Sequence, residues 1–165
     1  MKRVLLVAVL AIAGCSQASR TTYDLAVVNV PSADPNHRET QIQFKIPAEA
    51  VIQVTAGGDT PGTLFVDRLN SHGTFSVALS VTRNPPSVDG TRSFTTLVQL
   101  RSPRGEGPGG LCTYTFKDER SLDDVLAVSA VPATVPLGVP HALGVLDGKP
   151  ITLLVMHPDR RSDGG

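Results

Sequence analysis

Residues 74–82 have the sequence TFSVALSVT, and this stretch decides the fold class of the chain. Large apolar residues occupy every second position, and threonine, serine or alanine occupies the positions between them. Because successive side chains of a β-strand point to opposite faces, this alternation predicts a strand with one buried face and one open face.

The same pattern recurs on both sides of this strand. Ile42, Phe44 and Ile46 alternate with polar residues, and other strand-like runs are separated by turn residues. Seven or more short strands predict an all-β fold, an antiparallel β-sandwich of immunoglobulin-like or related topology with at most one short helix. A small β-barrel is the alternative. The other predicted strands cover residues 23–30, 50–55, 63–69, 93–101, 111–117, 142–146 and 149–156.

Turn residues predict which strands pair. Glycine, proline and aspartate cluster in residues 57–62 and 84–90, as is typical of hairpin loops. Asp147-Gly148 predicts a type I′ turn, because both central residues of that turn need positive φ. This turn pairs Leu146 with Lys149 and Val145 with Pro150. Residues 149–156 carry apolar side chains on both faces, so we expect that strand to be covered on both sides.

One segment favours a helix. Ser121 can cap a first helical turn, and Asp124 follows three residues later, as in a capping box. The valine-rich residues that come next favour a strand, so the prediction is one short helical turn that runs into an extended segment. Prolines at 132, 136 and 140 predict a polyproline-like or edge connector beyond it.

Composition and charge limit the classes of function. The chain has 165 residues, the length of one ordinary domain, with 15 basic and 15 acidic residues and a formal net charge of +0. A balanced charge gives no electrostatic reason to expect nucleic acid as a partner. Hydrophobic residues make up 41% of the chain and charged residues 18%, which is too apolar for a disordered protein.

The N-terminus carries the most specific functional signal. Lys2 and Arg3 precede an apolar run at residues 4–13, which is followed by Gly14 and Cys15. A basic start and a short apolar run are typical of a secretory signal peptide. A membrane-spanning helix needs about 20 apolar residues, so this run is too short to remain in the bilayer.

The sequence Ile-Ala-Gly-Cys at residues 12–15 resembles the lipobox of bacterial lipoprotein precursors, although leucine is commoner where Ile12 stands. The resemblance covers about the first 16 residues and says nothing of the mature domain. It implies cleavage before Cys15 and acylation of Cys15 with palmitate or similar fatty acids. It places the protein in the cell envelope, anchored on the exported side of a membrane. Ser16 implies the outer membrane, where the organism has one.

These features predict a domain organisation and a broad function. Residues 1–14 form the signal peptide, 15–22 a lipid-anchored tether, 23–157 a single β-sandwich domain and 158–165 a disordered tail. We expect a binding or structural module whose partner is an envelope protein or a cell-wall component. The alternative is an envelope-tethered hydrolase or metal-dependent enzyme.

Chemical motifs elsewhere are incomplete. Gly105, Gly107 and Gly110 match the spacing G-x-G-x-x-G, but a predicted strand follows them where a dinucleotide site needs a helix. A flexible hairpin tip is the better interpretation, and no cofactor is predicted. The Ser71-His72 pair lacks the surroundings of a catalytic serine and is better interpreted as a turn.

The candidate metal ligands are scattered. The four histidines lack the spacing of a metal site, and His141 and His157 are predicted on opposite faces of the last hairpin. His37 lies in a polar loop, and the acidic group at residues 118–124 lacks EF-hand spacing. We therefore predict no catalytic residue and no metal site. Cys112, left without a partner, is predicted to be buried on one strand face with Tyr114 and Phe116.

Overall fold

The computed structural model describes residues 21–46, 49–56, 62–69, 73–102, 105–129 and 131–157, with only the backbone described at 62–69 and 108. These residues form an antiparallel β-sandwich with one short helix, and the sheets do not close into a barrel. The predicted fold class is confirmed and the barrel alternative is wrong. In chain order the elements are β1 (Thr22–Val30), β2 (His37–Ile46), β3 (Ala50–Ala56), β4 (Gly62–Leu69), β5 (Gly73–Arg83), β6 (Arg92–Ser102), β7 (Gly105–Phe116), α1 (Leu122–Val125), β8 (Leu126–Val128), β9 (Ala133–Pro136), β10 (His141–Leu146) and β11 (Lys149–Met156).

The strands form two sheets. Sheet A has the order β7-β6-β5-β2-β1-β9, and sheet B has the order β4-β3-β11-β10-β8. Each ladder between described strands is antiparallel. The stretch at residues 74–82 lies in β5, an inner strand of sheet A paired with β2 and β6.

The hydrophobic core lies between the two sheets. In sheet A, Phe44 stacks on Phe75 with ring centroids 6.0 Å apart, and the ring of Tyr23 meets Phe44 edge-on at 6.3 Å. Burial raises the pKa of Tyr23 to about 12. In sheet B the alternating residues of β11 supply the matching layer, because Ile151, Leu153 and Val155 are all fully buried. The period-two pattern of the sequence therefore builds both layers of the core.

All the long strands run between two ends of the sandwich. We call the end with Thr21, the loop at residues 137–140 and His157 the near end. The opposite end, with the loops at residues 31–36, 84–91 and 117–121 and the turn at Asp147 and Gly148, is the far end. Thr21, the first residue that the structure describes, lies at the near end. Its carbonyl accepts a hydrogen bond from the Leu137 amide at 3.1 Å.

The last hairpin has the predicted register beside its turn. Leu146 pairs with Lys149 and Val145 with Pro150, and Asp147 has a φ of 49°. A bulge between Ala142 and Gly144 then shifts the ladder, so that His141 lies opposite Leu153. His141 therefore lies on the same side of the hairpin as the inward-facing Leu153, and the unbroken register on which the prediction of opposite faces for His141 and His157 rested is wrong.

The outer row of β11 differs from expectation. Thr152, Leu154 and Met156 are half-buried, whereas the inner row is fully buried. The strand is inside sheet B, between β3 and β10, but the other sheet covers only one of its faces. The prediction of cover on both sides is therefore wrong for the described part of the chain.

The glycine-rich segment is a strand. Residues 105–110 belong to β7 and pair with β6, so the expected flexible hairpin tip is wrong for these residues. A side chain at Gly109 would bring its Cβ to 2.5 Å from the Val98 carbonyl oxygen, so glycine allows the two backbones to approach. Gly109 therefore serves the packing of β7 on β6.

Cys112 has the predicted orientation with less burial. It pairs with Thr96 on the inner side of sheet A, and the Thr96 hydroxyl donates to the Cys112 carbonyl at 3.0 Å. The residue is half-buried because β7 is the outermost strand of the sheet. Burial, with Cys112 adding to it, raises the pKa of neighbouring Tyr114 to about 12.

Candidate functional site

Four arginines from different elements gather at the far end. Arg38 is the second residue of β2, Arg83 ends β5, Arg92 begins β6 and Arg120 precedes α1. The ladders bring the first three together because β2, β5 and β6 are neighbours in sheet A. We call these four residues the arginine cluster.

Glu119 joins two of these arginines. Its Oε1 accepts from Arg83 Nη1 at 3.2 Å and from Arg92 Nη1 at 3.1 Å. Arg83 Nη2 also donates to the Arg120 carbonyl at 2.7 Å, which fixes the segment after β7 against the end of β5. These bonds hold the segment between the two sheets in one position.

Arg120 connects this segment to sheet B. Its guanidinium lies over the Phe116 ring at 4.1 Å from the centroid, and Nη1 donates to Asp147 Oδ1 at 2.6 Å. Asp147 belongs to the turn between β10 and β11, and its amide donates to the Val125 carbonyl at 2.7 Å. The far end is therefore tied across both sheets.

The helix α1 is capped as the sequence predicts. The Ser121 hydroxyl accepts from the Asp124 amide at 3.1 Å, and the Asp124 carboxylate accepts from the Ser121 amide at 3.3 Å. Hydrogen bonds to the Asp124 carboxylate from the Ser121 side chain, and to a lesser extent from the Ser121 amide, lower the pKa of Asp124. The one helical turn runs directly into β8, so the prediction of a short turn followed by an extended segment is confirmed.

Three of the four acidic residues at positions 118–124 are engaged in these contacts. Asp123 forms an ion pair with Arg38, Glu119 binds Arg83 and Arg92, and Asp124 caps α1. Among the described residues, no three histidine, cysteine, aspartate or glutamate side chains are placed to hold a metal ion. Here the carboxylates act as partners for arginines and amides.

The loop between β5 and β6 is also fixed by a carboxylate. Asp89 accepts hydrogen bonds from the Ser87 hydroxyl and from the Thr91 amide, the latter at 3.0 Å. These bonds lower the pKa of Asp89 to about 2. Val88, between them in sequence, is fully exposed at the tip. The loop thus presents an apolar side chain on a hydrogen-bonded frame.

The outer face of sheet A carries a second polar network. Arg101 reaches across β5 to Glu39, where Nη1 donates to Oε1 at 3.0 Å. Ala78 lies on β5 between these two residues, and its small side chain leaves room for the contact between Arg101 and Glu39. His37 Nδ1 lies 2.9 Å from the Thr82 hydroxyl and Nε2 lies 4.0 Å from Glu39. His37 thus belongs to this network on the sheet.

A shallow groove of about 510 Å³ crosses the same face nearer to Thr21. Asp24 and Lys45 line it from neighbouring strands, and the Thr134 hydroxyl donates to Asp24 Oδ1 at 2.6 Å. The groove is open, and its lining is mostly apolar.

Several candidates from the sequence lie outside the described residues. Cys15 and the rest of residues 1–20 are among them, as are Ser71, His72 and the tail at residues 158–165. His157 lines a cavity of about 420 Å³ at the near end, and His141 is not among the residues that line it.

Comparison with protein-family models, with curated proteins and with solved structures finds no match to this chain. Within the part of the chain that the structure describes, no helix has the length and apolar character needed to cross a membrane. We therefore infer function from the N-terminal sequence and from the geometry of the sandwich. That geometry offers a rigid far end with guanidinium, carboxylate and apolar groups at its surface.

Proposed function

We propose that the chain is a membrane-anchored envelope lipoprotein, whose β-sandwich is a binding module held to the bilayer through acylated Cys15. The observation that carries this proposal is the coincidence of a basic start, a short apolar run and the residues Ile-Ala-Gly-Cys at 12–15. Two or three acyl chains on one cysteine anchor a protein firmly, since each buried CH₂ contributes about 0.8 kcal/mol.

The geometry of the domain agrees with an anchor at this position. Cys15 is six residues before Thr21, so the chain between them spans at most about 20 Å when fully extended. Thr21 lies at the near end, and the nine residues of β1 carry the chain about 30 Å toward the far end. The arginine cluster therefore lies at the opposite end of the sandwich from the tether.

The far end, with its loops held by ion pairs and hydrogen bonds, is suited to binding a partner. Because the loops are already fixed, little of their conformational entropy would be lost when a partner binds. Arg38 and Arg120 remain partly exposed while bonded, and Val88 is fully exposed nearby. We propose an envelope protein or a cell-wall component as the partner, on the exported side of the membrane and at the outer membrane where the organism has one.

Fatty-acid labelling of the full chain in cells tests the anchor. The wild-type protein should carry the label and sediment with membranes, whereas Cys15→Ala should lose the label. Cys112→Ala is the matched control, because it removes the other cysteine of the chain and should keep the label. Equal labelling of the wild type and Cys15→Ala would refute the proposal.

A further inference from the structure

The two outer faces of the sandwich differ in charge. The outward positions of sheet A include Asp24, Glu39, Lys45, Arg101 and Glu106. The outward positions of β3, β8, β10 and β11 in sheet B carry no aspartate, glutamate, lysine or arginine. Side chains of the remaining strand, β4, are outside the described part of the chain. One face is thus polar and charged, and the other is uncharged over four strands.

The largest apolar side chains of the uncharged face lie toward the near end. Met156 pairs with Val51, and Leu154 pairs with Gln53 in the next outward row. All three apolar residues are half-buried and lie outside the core cluster between the sheets. The nearest charged position is that of Arg68 on β4, which pairs with Val51 across the β3–β4 ladder at the edge of this face and whose side chain is outside the described part of the chain. Glu49 before β3 and Lys149 at the far turn lie at its ends.

The near-end loop extends the apolar surface. Val139 is 45% exposed, and Leu137 lies beside it around the cavity that Thr21 and His157 also line. Residues 136–140 contain no charged side chain. Leu137 itself packs against the core, so we call Val51, Leu154, Met156 and Val139 the uncharged patch.

The start of the described chain lies beside this patch. The Leu137 amide donates to the Thr21 carbonyl, and the next amide, that of Gly138, donates to the Val155 carbonyl at 2.8 Å. Two consecutive amides therefore join Thr21 to the end of β11, where Met156 follows. With Cys15 at most about 20 Å of chain from Thr21, an acylated Cys15 would hold the bilayer within reach of the patch.

We propose that the uncharged patch rests on the lipid bilayer, so that the domain leans on the membrane with the face of sheet A and the far end turned away. This inference rests on the proposed lipid anchor. Burying apolar side chains away from water is favourable, and none of the patch side chains themselves carries a charge that would have to be desolvated. The tether keeps the local concentration of lipid high, so a weak contact is enough to orient the domain.

Quenching by brominated lipids tests this contact in the acylated full chain. A fluorophore is attached to Leu154→Cys in a Cys112→Ala background, since acylation occupies the sulfur of Cys15. The protein is reconstituted into phosphatidylcholine vesicles with brominated acyl chains. The matched control is Gln43→Cys, on the outer face of sheet A. We expect quenching at position 154 to exceed quenching at position 43 at least threefold.

Val139→Cys gives a second probe that does not depend on Leu154, because its side chain is already exposed. We expect it to be quenched like position 154. Equal quenching at positions 139, 154 and 43 in acylated protein would overturn the lipid contact and leave the anchor intact. Disulfide dimers of Leu154→Cys without lipid quenching would assign the patch to a second copy of the chain instead. Protein without acyl groups would overturn both proposals.

Discussion

At Gly144 the backbone of β10 passes so close to β8 that only glycine fits. Its φ is +155°, and a Cβ placed there would collide with the carbonyl oxygen of Ala127. Both atoms belong to the sheet backbone, so neither can rotate away. This contact fixes β8, and with it α1, against the rest of sheet B.

We expect Gly144→Ala to lower the free energy of unfolding by about 3 kcal/mol, from overpacking together with an unfavourable φ. Gly138→Ala is the control, because its φ of +79° is also positive but the space around it is open. That variant should lose only about 1 kcal/mol. Denaturant unfolding measures both, and equal losses would show that the contact with Ala127 yields easily.

The Asp89 carboxyl should titrate near pH 2 in the folded protein, because Ser87 and Thr91 hydrogen-bond its charged form. A lowered pKa in the folded state means that the carboxylate stabilises the fold fully above its ordinary pKa of 3.8. This stabilisation is lost as the pH falls through about 2. Carboxyl-carbon NMR measures the titration, and Ser87→Ala should move it toward 3.8. A wild-type midpoint already at that ordinary value would contradict the hydrogen bonds.

Among the elements, the strands were the easiest to predict, because alternating large apolar residues determine which face is buried. The start of β2 was missed, since Thr40 takes an inward position there without an apolar signal. The first half of β7 was missed because glycine has a low strand propensity, and pairing with β6 supplies the order instead. Such segments are ordered by their neighbours and cannot be found from local sequence.

The last hairpin is an element whose removal should abolish folding. β11 lies between β3 and β10, and its inner residues are fully buried. A chain that ends after Pro140 should therefore show no cooperative thermal unfolding, whereas one that ends after Pro158 should melt like the full chain. Both are compared in the Cys15→Ala background. Cooperative melting of the shorter chain at the same temperature would mean that the hairpin is not part of the core.

The cap of α1 makes a smaller contribution. Ser121→Ala removes the acceptor for the Asp124 amide and should cost about 1 kcal/mol of stability. Thermal unfolding measures the change. Asp118→Ala, in the same exposed segment without a helix to cap, should leave stability within about 0.5 kcal/mol. A loss in the control as large as that in Ser121→Ala would show that the cap is not the cause.

At the scale of the whole molecule, the candidate site was hidden from the sequence. The residues of the arginine cluster are spread from position 38 to position 120, and they meet only because antiparallel pairing returns four elements to one end. The uncharged patch combines β3, β11 and a loop for the same reason. The proposed anchor signal, by contrast, is a local pattern within the first 16 residues, so the sequence alone is enough to suggest it.

The orientation that we propose for the domain predicts where partners bind. A photo-crosslinking residue at Val88, on the far end, should capture an envelope protein or cell-wall component in cells. The same residue at Val139, beside the tether, should react with lipid. Crosslinking to one common partner from both positions would contradict a domain that presents its far end.

The intact mass of the protein recovered from membranes tests the central claim most directly. A lipid-anchored module requires a mature chain that begins at Cys15 and carries the added mass of fatty acyl groups. We predict this species in the wild type and its absence in Cys15→Ala. A chain that retains residues 1–14, or that begins at Cys15 without acyl mass, would contradict the account.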